Sequence, residues 1–270
     1  MIFETIGKRI IVIILIILFL FGLAISFNIF SLVNSNEGLL KYKNLSDETS
    51  RISEIEMDFF EAALALKDYV IYYDAETQKR FLINISNIKD EFMNETNESI
   101  EIVNLRSYIE AYENLFNQIV DLNAEKESLI ENSFIVVYNN LIKLIPDFKI
   151  IAEESNASWL NFYFDNVSQL LNNIIELSSV YFSSKSVGDK NNVLGIFNEL
   201  DSQVLVIQYG LETDDLRQLF TEMQAYVNDF RSVFIQIVET IESQEPIIQQ
   251  MEEMRVEILN LLEEQRAELK

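Results

Sequence analysis

Residues Ile10 to Phe30 form an apolar run that Ser26 and Asn28 interrupt only near its far end. At about 1.5 Å per helical residue it reaches about 31 Å, the hydrocarbon thickness of a bilayer. Such a segment either crosses a membrane or is removed as a signal peptide. Ala24 and Ser26 offer small residues near a cleavage point, but the apolar core of a signal peptide normally spans about 7 to 15 residues. The length favours an anchor. Lys8 and Arg9 precede the run, and Glu37 and Lys41 are the first charges after it. The basic flank is therefore expected in the cytoplasm, as residues 1–9, with 10–30 spanning the inner membrane and 31–270 in the periplasm or outside the cell.

The exported part is long enough for one large domain or two small ones. There is no Cys and no His in the 270 residues, so no disulfide can hold the domain, and the commonest metal ligand and general base are absent. No cofactor and no metal are expected. The net charge of -24, from 44 acidic and 20 basic residues, repels nucleic acid phosphates and anionic lipid surfaces. No Gly-rich phosphate loop, nucleophile elbow or His-containing constellation occurs, so no enzyme is expected. Six Gly and two Pro leave too little turn chemistry for a sandwich or barrel, and the fold class expected is all-α.

Six helices are expected after the anchor, two long and four short. The first runs from about Leu39 to Tyr73, with Ile52, Ile55, Phe59, Ala63, Leu66 and Val70 three or four residues apart. Asp74 and Thr77 break it and cap a second, from about Glu76 to Phe92. The polar cluster Asn94, Glu95, Thr96 and Asn97 ends that helix, and Ser99 is a candidate N-cap for a long third one. Its apolar positions run from Ile102 to Leu144, before Pro146. Midway, between Asn123 and Ser128, the expected core positions fall on Asn123 and Lys126. A loop near Glu153 to Ser158 leads to a fourth helix, from Trp159 to about Phe182. The turn at Ser183 to Asp189 leads to a fifth, from Lys190 to about Gln208, which Gly210 stops as a C-terminal glycine. The sixth, from Asp214 to the end, carries a seven-residue repeat at Leu216, Met223, Phe230 and Ile237 that slips at Gln244 and Pro246.

The third helix must start near the membrane and the sixth must end there. Asn123 and Pro246 then lie at one height, each about 33 to 36 Å of helix from those ends. This level divides a membrane-proximal bundle, about 39–122 with 246–270, from a membrane-distal bundle, about 123–245. A loose internal repeat sets Leu66 to Leu82 beside Leu177 to Leu194, with Asp74 against Lys185.

Tyr42, Leu45, Thr49 and Ile52, followed by Lys67, Asp68 and Tyr69 before Asp74, resemble the helical bimodular sensor domain of bacterial transmembrane receptors. These are chiefly methyl-accepting chemotaxis proteins and some sensor histidine kinases. The resemblance covers about Leu39 to Lys270 in architecture, and its sequence-specific part lies in the first helix. It implies two stacked four-helix bundles that each can hold a small-molecule pocket, commonly for organic acids, in a homodimer. Ligand binding then shifts the terminal helices to alter a cytoplasmic output. Carboxylate-binding members tend to carry arginines shortly before the Lys-Asp-Tyr segment, where this chain has Glu61, Ala62, Ala63, Leu64 and Ala65. A carboxylate there lacks its bidentate partner.

The basic residues able to face a bundle interior are Arg51 and Lys67 in the lower module, and Lys126, Lys143 and Arg217 in or near the upper one. Arg51, Lys67, Tyr69, Lys143 and Arg217 are the candidate ligand contacts, each weighed against a solvated surface position. Asn123 and Pro246 are the candidate signal-transmission residues. Asn123 is weighed against a register-setting polar core residue, and Pro246 against a packing kink. The expected function is the ligand-sensing part of a bacterial chemoreceptor. The sensor region of a histidine kinase, or a membrane-tethered stalk that binds a protein, is the alternative. The chain ends in an unfinished amphipathic helix, so a second span and an output domain are expected beyond Lys270.

Overall fold

The computed structural model describes residues 2–93 and 100–269. The expected cap Ser99 and the cluster Asn94, Glu95, Thr96 and Asn97 lie outside the described residues. Among the described residues the fold is all-α, without strands. The helices are α1 (Ile2–Tyr72), α2 (Ala75–Met93), α3 (Ile100–Leu129), α4 (Ile135–Glu154), α5 (Leu160–Ser184), α6 (Val187–Gln208), α7 (Asp214–Glu242) and α8 (Gln244–Glu268), with a π-helical turn at Ile130–Phe134 between α3 and α4. α3, the π turn and α4 form the long third helix of the sequence reading. α7 and α8 form the sixth, interrupted at Ser243.

α1 is one helix from Ile2 to Tyr72, with no break at Leu39. Nothing in the sequence stops it: the isolated glycines Gly7, Gly22 and Gly38 cost about 1 kcal/mol each against alanine, too little to end a helix this long. Within Leu18–Tyr72 it is long and apolar enough to cross a membrane, with a window of mean hydropathy 1.8 none of which is buried. The helix ends on Tyr73, whose φ of 52° is left-handed and whose N–H donates to the Tyr69 carbonyl at 2.7 Å. Asp74 then caps α2, its Oδ1 accepting from the N–H groups of Glu76 and Thr77, both at 2.9 Å.

The chain divides into two compact units, Met1–Ile109 with Glu257–Lys270, and Glu110–Val256. In the first, Ile52, Phe59 and Leu66 of α1, Phe81, Ile85 and Ile88 of α2, Leu105 of α3, and Ile258 and Leu262 of α8 are all buried. Each large apolar side chain taken out of water there contributes about 1.5–3 kcal/mol. The second unit has its own core, built from α4, α5, α6 and α7 around Phe148, Phe164, Phe197 and Phe230. Asn123 and Pro246 both fall within this second unit.

The two hairpins, α1 with α2 and α5 with α6, repeat in a single register. Lys185 ends α5 with φ 53° and donates its N–H to the Tyr181 carbonyl at 2.7 Å, the geometry of Tyr73 and Tyr69. The same offset carries the buried Ile52 onto Phe164, Phe59 onto Leu171, Phe81 onto Val193 and Ile85 onto Phe197. The sequence match set Asp74 against Lys185. The backbone pairs Tyr73 with Lys185 instead, and the cap Asp74 with the cap Ser186.

α4 runs through Pro146 to Glu154, where the expected loop begins; Pro146 sits on the exposed side of the helix, where the hydrogen bond it removes is lost next to solvent. Two details differ from the sequence reading. α6 begins at Val187 because Ser186 caps it, its Oγ accepting from the Gly188 N–H at 3.2 Å. Gly210 does not end α6 by a left-handed turn, since no glycine has positive φ. A β-carbon there would stand 2.5 Å from Cη2 of Trp159, so glycine is needed for the close approach of an indole.

Candidate functional site

The seam of α3 turns polar where the sequence places Asn123 and Lys126. Both are buried, at 5% and 8% exposure, and the Lys126 ammonium donates to Asn123 Oδ1 at 2.8 Å. Burial depresses the Lys126 pKa below the usual lysine range. Lys185, in the turn between α5 and α6, is depressed as well, first by burial and then by repulsion from Lys126. Two ammonium groups thus act on each other at one end of the α4–α7 core of a strongly acidic protein.

The rest of this end is fixed around them. Lys190 at the start of α6 pairs with Glu242 at the end of α7. Burial, followed by the Glu242 carboxylate, pushes the Tyr181 hydroxyl up to about 12. Gln244, the first residue of α8, is 2% exposed, and Thr240 gives its hydroxyl proton to the Gln236 carbonyl at 2.9 Å.

The π turn lies directly above this polar layer on the α3–α4 rod, and its geometry explains the register of the rod. Seven residues after Lys126, two turns of α-helix, stands Ser133. The wider turn, in which the Ile135 N–H bonds to the Ile130 carbonyl, advances the buried face by one residue, so Phe134 points inward instead. Phe134 is 1% exposed. It stacks on Phe230 at 4.5 Å, meets Phe182 edge-on at 5.8 Å and lies 6.2 Å from Phe234. Phe197 closes the cluster against Phe230 and Phe234.

The candidate ligand contacts are scattered. Arg51 is half-buried, near Glu48 at 4.0 Å, beside a small void of about 10 Å³ lined by Ile55, Phe92 and Leu262. That is about the space of one water. Tyr69 is buried and meets Tyr73 edge-on at 5.6 Å. Lys67 and Lys143 are exposed, and Arg217 is an exposed partner of Asp214 at 3.0 Å. Arg51 and Lys67 stand about 24 Å apart along α1, so they do not share one small ligand. Pro246 is exposed in the first turn of α8, a position that tolerates proline. Among the described residues no cluster of acidic side chains fits a metal ion.

Sequence reasoning named Lys126 but missed Lys185. Its signal was the hairpin repeat, which places a long basic side chain at a left-handed helix end. The π turn also carried a signal, the one-residue slip of the apolar seam after Lys126.

No family model matches the chain, and no curated protein matches it in sequence. A chain from the crystal structure of the TorS sensor domain–TorT complex in the presence of TMAO superposes with a TM-score of 0.50 at 11% identity. The match covers 83% of this chain and 99% of that one. The chain therefore shares the fold of that chain.

Proposed function

We propose that the chain is the extracytoplasmic ligand-sensing part of a bacterial transmembrane chemoreceptor, in which a small molecule bound in a helical bundle displaces the helices that lead to the membrane. The observation that carries this reading is the continuity of α1. One helix runs from a segment able to span a bilayer into the buried core of the first unit, through Ile52, Phe59 and Leu66. A displacement of that core is a displacement of the span, because a packed interior repacks between discrete arrangements and does not deform continuously. The shared fold with a sensor domain supports the reading. So does the neighbouring complex, which was crystallised with a small molecule present.

In this reading the two units are the membrane-proximal and membrane-distal modules. Lys126 and Lys185 join Arg51, Lys67, Tyr69, Lys143 and Arg217 as candidate contacts for a small organic acid. Asn123 and the α7–α8 break near Pro246 carry the signal. The receptor is a homodimer: Met57, Phe60, Leu64 and Ile71 form an exposed stripe on α1, at the three- and four-residue spacing of a helix–helix seam. A second copy anchored in the same membrane would meet that stripe in parallel.

A thermal-shift screen of the chain from about Asn34 onward, against mono- and dicarboxylates and amino acids at millimolar levels, tests the reading. A ligand that raises the melting temperature of the wild type, and does so less for Lys126→Gln, supports it. No shift with any small molecule favours a tethered stalk that binds a protein.

A further inference from the structure

The end of the second unit opposite the lysines carries an apolar surface that the sensor reading does not use. α4 closes on Asn156 at φ 58°, and the Ala157 N–H returns to the Ala152 carbonyl at 2.7 Å. This left-handed helix end delivers Trp159 to the start of α5. The indole lies against Gly210, in the turn between α6 and α7, where a β-carbon would stand 2.5 Å away. Tyr163 meets Trp159 edge-on at 5.9 Å, and Phe162 meets Tyr163 edge-on at 5.5 Å. Trp159, Phe162 and Tyr209 nevertheless remain 52%, 65% and 84% exposed. The rings of Trp159 and Phe162 are held by their neighbours before anything covers them, so covering them costs little side-chain entropy.

The surroundings are acidic. Glu153 lies beside this surface, accepting from Asn161 Nδ2 at 3.2 Å, and Glu212, Asp214 and Asp215 follow Tyr209 in sequence. The nearby cation Arg217 is engaged by Asp214 and by the Glu212 carbonyl. A two-fold contact between copies would set like charges against each other, and an anionic lipid surface would be repelled. Exposed Trp and Tyr side by side are the composition of interface hot spots.

We propose that this aromatic tip is a docking platform for a folded protein partner, whose contact face is an apolar socket rimmed by lysine and arginine. The inference stands apart from the sensor reading, since it needs neither a small-molecule pocket nor helix displacement.

The test uses the full chain in the membranes of its native cells. A photo-crosslinking phenylalanine analogue replaces Phe162 or Tyr209, with Ile235 on α7 as the control position. One heterologous protein is expected to crosslink at 162 and 209 and not at 235. That protein, purified, should bind the wild-type chain at least tenfold more weakly in 500 mM than in 50 mM salt. It should also bind Phe162→Ser/Tyr209→Ser at least tenfold more weakly than wild type. Both substitutions are at exposed positions, and unchanged circular dichroism confirms the fold. The proposal is overturned by adducts that contain only lipid or a second copy, by no adduct at either position, or by binding indifferent to salt and to the double substitution. None of these outcomes touches the small-molecule screen, so the two readings fail separately.

Discussion

Gly210→Ala tests whether the seat of Trp159 is a real constraint, because the sign of its effect is worked out from the geometry. Gly210 has ordinary negative φ, so alanine suffers no backbone strain, and by restricting the unfolded chain it should stabilise by about 0.4–1 kcal/mol. Against this, the new β-carbon would lie 2.5 and 2.6 Å from two indole carbons of Trp159 and 2.9 Å from Leu160 Cδ2, distances no native contact shows. Leu160 is fully buried and cannot move aside, and overpacking of this kind costs about 1–3 kcal/mol. The clash wins, and a net loss of about 1–2 kcal/mol is expected. The assay is urea denaturation of the chain in detergent, followed by circular dichroism. Trp159 is the sole tryptophan, so its fluorescence reports the same site. In a Trp159→Ala background the two shortest contacts vanish and only the 2.9 Å approach to Leu160 Cδ2 is left, so the cost of Gly210→Ala should fall clearly below its cost in the wild type. If Gly210→Ala stabilises the wild type, or destabilises both backgrounds equally, the indole does not set the glycine.

Other perturbations reach different parts of the chain. Phe134→Ala should cost about 3–5 kcal/mol, read as a lower urea midpoint, because it empties the centre of the aromatic cluster. Asp74→Ala removes the α2 cap and should lower the denaturation midpoint at neutral pH. Hydrogen bonds from the Thr77 and Glu76 backbone hold the Asp74 carboxyl below its usual value of 3.8, so its contribution is present above about pH 4 and is lost as pH falls through the folded value. The gap between wild type and variant should therefore close in acid. Asn123→Leu/Lys126→Met replaces a buried ammonium and its acceptor with apolar groups of similar size, and should raise stability at pH 7 by about 1–4 kcal/mol. Because the folded Lys126 pKa lies below 10.5, the unfolded chain binds more protons in the window between the two values. Wild-type stability then rises with pH, and its deficit against the double variant should shrink as the pH rises toward 10.5. A gap that stays constant up to that pH would mean that Lys126 is not desolvated.

Much of the fold was legible because its determinants are local. The cap Asp74 and the three- and four-residue spacing from Ile52 to Leu66 each fix their piece of helix without tertiary help. What the sequence hid depends on partners. Gly210 reads as a helix stop from its neighbours in the chain, yet its reason is an indole some fifty residues away. The candidate contacts were chosen by charge and seam position, and charge alone does not say whether a lysine points inward. Lys143 and Arg217 stay in solvent, whereas Lys126 is buried because Asn123, one helical turn before it, offers an acceptor.

The polar layer and the π turn are two consequences of one sequence decision. With Asn123 and Lys126 on the seam, an uninterrupted α-helix would next bring Ser133 inward and place a third polar side chain against Phe230. The π turn gives up one regular backbone hydrogen bond to put Phe134 there instead, and the stacked contact at 4.5 Å returns the aromatic burial that the serine would forfeit. Removing the polar pair should therefore remove the need for the wider turn. In Asn123→Leu/Lys126→Met, deletion of one residue between Ile130 and Ser133 leaves a plain α-helix whose apolar seam is continuous. That combination should fold at least as stably as the double substitution alone. The same deletion in the wild type restores the helix but still leaves Lys126 buried, and should gain nothing. If the deletion destabilises both backgrounds alike, the π turn is held by the aromatic cluster alone and owes nothing to the lysine beneath it.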